Sequence, residues 1–492
     1  MKKLIQLFRQ TFIYGIATVF PRVISVLLVR LHTDKQILEN VSDYGNLSLI
    51  FSYIILFNVM LSYGLETSFF RFFNKESNKK EVLSTSSISI IFTTILFYAI
   101  ASIFKVEISE FTGIETQYLN LVLWILVLDA LVVIPFAYLR AKGKAIKYSI
   151  IKIVNVIVYF SLNVFLLIFL KKIAVNNNFF TDIYTPNYEI NYIFISNLIA
   201  SATTLILLAP FYFKINYRVN FVLLKKMLIY AFPVLISGLA YSINETFDKI
   251  LLDFILPDSI AKSQIGMYAA CYKLALFMTL FSTAYKLGIE PFFFKEAHEK
   301  SPQKTYALIL EIFVILGSSL LLLVIVFADL LKVVFIGDPE YWQAMKIVPI
   351  ILLANFCLGI YQNLSVWYKI TDKTKFGAYI SVIGATFTLV LNIILIPHYG
   401  YVGSAIATLV AYASMAAISY VLGRKHYPIP YKTTKIGFYI IFSVTLSTIS
   451  FYFFRGNFYI GIACLILFYT TILLFEKSNI HLLLRGLNEN EN

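Results

Sequence analysis

Stretches of about 20 consecutive, mostly apolar residues follow one another along this chain. Each is long enough to cross a bilayer as a helix. They lie at approximately 11–31, 44–69, 82–104, 118–139, 148–170, 190–213 and 228–249, then at approximately 265–287, 305–328, 345–368, 376–396, 401–423, 434–454 and 457–475. That makes about fourteen candidate spans. The longest connection, near 171–189, holds roughly 19 residues and leaves no room for a soluble domain. With 59% hydrophobic and 14% charged residues, the composition is that of a polytopic all-α membrane protein.

The net charge of +14 could point to nucleic acid, but its distribution does not. The N-terminal tip, the connections after the even-numbered spans and the tail hold about 28 Lys and Arg. The other connections hold about 8, mixed with acids such as Asp34, Glu39, Glu107 and Asp338. The positive-inside bias therefore predicts both ends in the cytoplasm, and no nucleic-acid role is needed. The basic start, Met1-Lys2-Lys3, leads into a run that carries Arg22 and Arg30 and no small-residue cleavage site, so it reads as a retained first helix.

A second pattern divides the chain. Phe20-Pro21-Arg22-Val23-Ile24-Ser25 in the first span reads against Phe232-Pro233-Val234-Leu235-Ile236-Ser237 in the seventh. Gly64-Leu65-Glu66 with Phe69-Phe70-Arg71 reads against Gly288-Ile289-Glu290 with Phe293-Phe294-Lys295, and Leu162-Asn163 against Leu391-Asn392. An even number of spans separates the copies, so they run parallel. The expected plan is 6+6+2: a bundle at 1–227, a second at 228–433, and two added helices with a cytoplasmic tail at 434–492. Repeats of this kind mark secondary transporters, whose substrate path lies between the halves.

Enzymatic signals are missing. No phosphate-binding Gly-rich Lys-Ser/Thr loop occurs, the five histidines form no ligand cluster, and Cys271, Cys357 and Cys464 are scattered in apolar runs. The reading is not an enzyme, with no metal and no cofactor.

Ionisable residues inside spans cost at least about 2.5–3.5 kcal/mol on insertion scales, so each asks for a reason. Arg22, about 16 Å into the first span, is the leading candidate to grip an anionic substrate, because guanidinium binds phosphate bidentately. The bland reading is a structural pair with Asp129. Arg30 is a second candidate or an outward-snorkelling side chain. Lys273, roughly 12 Å into the eighth span, is a third. Asp129, Glu245, Asp248 and Lys249 are candidates for ion coupling or gating. Glu245 and Lys249 could also satisfy each other as i,i+4 neighbours at a helix end. Glu66 and Glu290, near Arg71 and Lys295, read as inner-gate ion pairs. Phe292 to Lys300 reads as an amphipathic surface stretch, and the chain from Glu476 as a polar tail.

The stretch Asn392-Ile-Ile-Leu-Ile-Pro397-His-Tyr-Gly400-Tyr-Val-Gly403-Ser-Ala-Ile-Ala-Thr408 resembles the helix 11–12 hairpin of bacterial polysaccharide-transport flippases. These are the Wzx-type branch of the multidrug/oligosaccharidyl-lipid/polysaccharide exporter superfamily. Asp248-Lys249 followed by Ile265-Gly266-Met267-Tyr268, with Asp43-Tyr44-Gly45 at the matching place in the first half, is similar to that branch as well. The resemblance spans the whole chain and implies a flippase of a bacterial inner membrane. Its cargo would be an oligosaccharide on undecaprenyl pyrophosphate, moved by alternating access for O-antigen or capsule biosynthesis. It also implies drive by H+ or Na+, polymerase or glycosyltransferase partners, and a lipid-tail groove at the two added helices. It transfers no substrate residue. A multidrug or cation antiporter of the same superfamily, or a membrane glycan polymerase or transferase, are the rival readings.

Overall fold

The structure is a computed structural model that describes residues 2–175, 178–296 and 302–477. The side chains of 2–14, 16–17, 290–292 and 294–296 lie outside that description. Among the described residues the chain is helical, with no strand.

The fourteen long helical segments are α1 Lys2–His32 and the following thirteen, each long and apolar enough to cross a membrane among the described residues: α2 Val41–Lys75, α3 Lys79–Ile103, α4 Thr116–Ala141, α5 Ala145–Ala174, α6 Glu189–Lys214, α7 Phe221–Ile255, α8 Asp258–Ile289, α9 Pro302–Val326, α10 Pro339–Ile370, α11 Lys375–Tyr399, α12 Tyr401–His426, α13 Thr433–Phe453 and α14 Phe458–Phe475. Each expected span falls on one of them. The boundaries of α7 and α8 are the main correction. α7 continues to Ile255 and α8 begins at Asp258, so Glu245, Asp248 and Lys249 sit inside a helix and not at its end. Ile250-Leu251-Leu252 sustains the helix past the charges, and Pro257, which cannot continue the hydrogen-bond ladder, stops it.

Neighbour relations recur with an offset of six helices. α1 packs on α5 and α8; α7 packs on α11 and α2. α6 contacts α4 and α5 as α12 contacts α10 and α11, and α3 meets α4 as α9 meets α10. Asn163 and Asn392 are both fully buried. Each donates its amide to the carbonyl four residues back, on Tyr159 at 2.8 Å and on Thr388 at 2.7 Å. α13 and α14 lie against α9.

The seam between α1–α6 and α7–α12 closes through backbone at one face. A Cβ on Gly45 would stand 1.8 Å from the Lys262 carbonyl oxygen, and one on Gly266 would stand 2.2 Å from that of Val41. Only glycine lets α2 and α8 approach so nearly. Nearby, Thr33 Oγ1 accepts from the Gly337 amide at 2.7 Å, and Lys35 pairs with Glu340 at 3.2 Å. Toward the other face, α2 breaks at Tyr63 and Gly64, both at positive φ, and Gly64 lies against the Ala231 carbonyl.

α9 and the added pair are joined by charge. Lys435 bridges two buried carboxylates, Glu311 and Glu476, and Arg455 pairs with Asp329 at 3.0 Å. Glu476 is therefore not the start of a solvated tail: it is 4% exposed and accepts from the Tyr439 hydroxyl at 2.9 Å. The residues after Lys477, and 297–300 of the expected amphipathic stretch Phe292–Lys300, lie outside the described ones.

Candidate functional site

Three helices bring charge to the seam. On α1, Pro21 precedes Arg22, and the helix ends ten residues later at His32, about 15 Å away. The half-buried Arg22 extends across the seam, where its Nη1 donates to Thr283 Oγ1 of α8 at 2.6 Å. Among the described residues it forms no ion pair, and its remaining guanidinium donors face no carboxylate within bonding distance. The structural pair with Asp129 does not form.

On α7, Tyr241 donates its hydroxyl to Glu245 Oε1 at 3.1 Å, one helical turn away. Glu245 lies in the combined field of Arg22, Lys249 and Asp248. The expected Glu245–Lys249 partnership is replaced: Lys249 Nζ lies 3.2 Å from Asp248 Oδ1, and Tyr268 donates to Asp248 Oδ2 at 2.7 Å. Asp248 is only 3% exposed, so both of its oxygens are committed. The Lys249 ammonium also faces the ring of Tyr272 at 5.2 Å, a cation–π contact.

Lys273 opens a short 3₁₀ turn, Lys273–Ala275, that interrupts α8. Because α8 starts at Asp258, Lys273 lies about fifteen residues in, roughly 22 Å, deeper than its expected position. It is half-buried, forms no ion pair among the described residues, and feels the charges of Lys249 and Glu245. The His32 ring at the end of α1 feels Lys273 in turn and shares a 2.9 Å hydrogen bond with Asn163. The cluster thus holds three cations and two carboxylates. Lys249 and Asp248 match each other, and Arg22, Lys273 and Glu245 remain.

The other expected site residues lie apart. Arg30 is exposed, and its Nη1 donates to the carbonyls of Ile336, Val333 and Gly337 at 2.8, 3.2 and 3.4 Å, at the end of the short helix Ala328–Phe335. It acts there as a cation on a helix C-terminus. Asp129 is held inside the first half by Ser201 at 2.7 Å and Asn58 at 3.2 Å, in the field of Lys152. Glu66 pairs with Arg140 on α4 at 2.7 Å and not with Arg71, which lies over the Tyr230 ring at 4.2 Å. The side chain of Glu290 is outside the described ones. Tyr241, Tyr272 and Thr283 were not anticipated, and Tyr268 entered only within the Gly-x-Tyr motif after Asp248-Lys249. The i,i+4 spacing of Tyr241 and Glu245 was a second readable signal. No group of three or more potential metal ligands occurs among the described residues.

The fold is similar to that of solved transporters of the MOP superfamily. The structure of the lipid II flippase MurJ in an inward closed conformation is similar, with a TM-score of 0.73, 17% identity, and coverage of 95% of this chain and 100% of that one. The MATE multidrug transporter DinF-BH superposes at a TM-score of 0.59, with 15% identity over 86% of this chain and 96% of that one. An inward-facing MATE family transporter of the MOP superfamily gives 0.59, with 12% identity over 82% and 97%. No match was found among curated proteins. Residues 7–281, more than half of the 492, match the family described as Polysaccharide biosynthesis protein, and the chain belongs to that family.

Proposed function

We propose that this protein is a flippase that moves an oligosaccharide linked to undecaprenyl pyrophosphate from the inner to the outer leaflet of a bacterial inner membrane. Two six-helix bundles, 1–227 and 228–433, rock about the seam, with both termini cytoplasmic. Arg22 and Lys273 hold the pyrophosphate between α1 and α8, and Tyr241 and Tyr272 offer rings beside it. The lipid tail stays in the bilayer, beside the added pair at 434–492. Membership of a polysaccharide biosynthesis family supports a glycan cargo. The observation that carries the reading is that two deep cations from opposite sides of the seam, Arg22 and Lys273, both act on Glu245 and have no ion-pair partner among the described residues. An unpaired charge inside a membrane protein is costly, and a doubly charged phosphate ester is the ligand that would offset that cost.

A proton or sodium gradient resets the carrier, with Asp129 or Asp248 as the coupling group. Asp129 fits better, because its partners Asn58 and Ser201 are neutral, whereas Asp248 is already matched by Lys249.

The test is translocation of a fluorescent undecaprenyl-pyrophosphate glycan in vesicles reconstituted with wild type, R22A and K273A. Loss of flipping in both variants at normal protein level supports the reading. Flipping at the wild-type rate in both overturns it. Export of cationic dyes with no glycan translocation would assign the chain to the antiporter class instead.

A further inference from the structure

The junction where α4 ends, α5 begins and α6 ends differs sharply from the junction six helices on. In the second half, the corresponding region between α10, α11 and α12 is packed solid. Trp367 is 1% exposed, donates its indole NH to the Ser419 carbonyl at 3.1 Å and stacks on His426 with ring centroids 5.6 Å apart. Phe376 closes on the same imidazole at 4.8 Å, and the missing Cβ of Gly423 makes room for the indole edge. That junction holds itself together.

In the first half the place presents a shallow surface cleft. Pro135, Tyr138, Leu139, Leu207, Leu208 and Phe211 floor it and its rim carries Lys144, Lys147 and Lys214, around a cavity of only ≈ 40 Å³. All three lysines are exposed, and none forms an ion pair among the described residues. α5 starts at this rim with no side chain capping it at Lys144, which adds the positive end of a 20-residue helix. On the flank of α6, Ile206 is 70% and Phe213 89% exposed, an apolar wall running from the lysines along the membrane-facing side.

Three unneutralised ammonium groups above an apolar wall at the end of membrane-length helices fit one chemistry: a phosphate diester carrying two hydrocarbon chains. We propose that this pocket is a binding site for an anionic phospholipid, its headgroup phosphate on Lys144, Lys147 and Lys214 and its chains along Ile206, Leu207 and Phe213. The bound lipid covers this junction from outside and ties three helices together, where in the second half Trp367, Phe376 and His426 do so from within. The site is separate from the Arg22 cluster, and its occupancy does not depend on the transport reading.

The experiment is native mass spectrometry of the full-length protein released from detergent. It is titrated with phosphatidylglycerol, with phosphatidylethanolamine, and with inorganic phosphate as competitor. Wild type is expected to prefer phosphatidylglycerol about tenfold, a preference that K144Q/K147Q/K214Q abolishes. L207W, which fills the pocket without changing charge, is expected to abolish it too. A control with the same loss of charge elsewhere on the basic face, K75Q/K79Q/K425Q, is expected to keep it. Equal loss in the control would show a diffuse surface potential and overturn the site. So would an unchanged preference in both pocket variants, or displacement of the lipid by millimolar phosphate.

Discussion

Two points on α1, its C-terminal end and Arg22, meet the second half of the molecule in different ways. At that end Arg30, Thr33 and Lys35 bind carbonyls, an amide and a surface carboxylate around Gly337, next to the α2–α8 contact where Gly45 and Gly266 bring backbone against backbone. Eight residues earlier, Arg22 makes one hydrogen bond to one hydroxyl. The first contact is built from main chain and is already complete. The second leaves most of a guanidinium's donors unused beside Glu245. Two arginines on one helix, alike in sequence terms, thus differ in what surrounds them, and the one with unmet bonding capacity is the one suited to a ligand.

The largest effect that would sharpen this contrast concerns Arg22. R22A is expected to lower the transport rate about a hundredfold, whereas R30A lowers it less than about threefold, measured side by side in vesicles at matched protein level. R22K should recover only part of the loss, because an ammonium cannot grip phosphate bidentately. Equal losses in R22A and R30A would break the comparison. Next, K273Q should weaken binding of undecaprenyl pyrophosphate about tenfold with little change in thermal stability, read by titration and by melting of the same preparation.

A third test addresses the closed end. G45A or G266A forces a methyl onto a carbonyl, and each should cost about 1–3 kcal/mol of stability or open the α2–α8 face. Cysteine accessibility at positions beside Tyr44 would rise. No change in either readout would mean that the backbone contact is not holding the face shut.

The smallest effect lies at the added pair. Although partial burial opposes it, hydrogen bonds and charge from Arg455 and Lys332 hold the Asp329 carboxyl below the usual carboxylate range. A lowered carboxylate contributes stability above its ordinary pKa and loses it as pH falls through the folded value. R455A should therefore cost at most about 1 kcal/mol at neutral pH, and the difference from wild type should vanish under strongly acidic conditions. Melting curves of the two proteins across pH would check it.

Much of the helical plan was legible, because a bilayer-length apolar run carries its own signal. Where it failed, charge misled. Glu245, Asp248 and Lys249 look like a helix end, yet Tyr241 donates to Glu245, Tyr268 of α8 donates to Asp248 and Tyr272 faces Lys249 within the protein, and α7 continues. Arg22 and Lys273 stood out by charge and depth alone. The true partners of Arg30 and Glu66 did not, since Ile336 lies 306 residues from Arg30 and Arg140 lies 74 from Glu66, for which Arg71 was the nearer candidate. The Tyr63–Gly64 break in α2 and the 3₁₀ turn at Lys273 come from close helix contacts that a single segment's composition does not report.

The central claim is that Arg22 and Lys273 together hold a pyrophosphate at the seam. The most direct test is the affinity of the full-length protein in nanodiscs for undecaprenyl pyrophosphate, comparing wild type with R22A/K273A over a salt series. The account predicts a loss of about a hundredfold or more and a flattened salt dependence in the double variant. Affinity and salt dependence equal to wild type, in a folded protein, would contradict it.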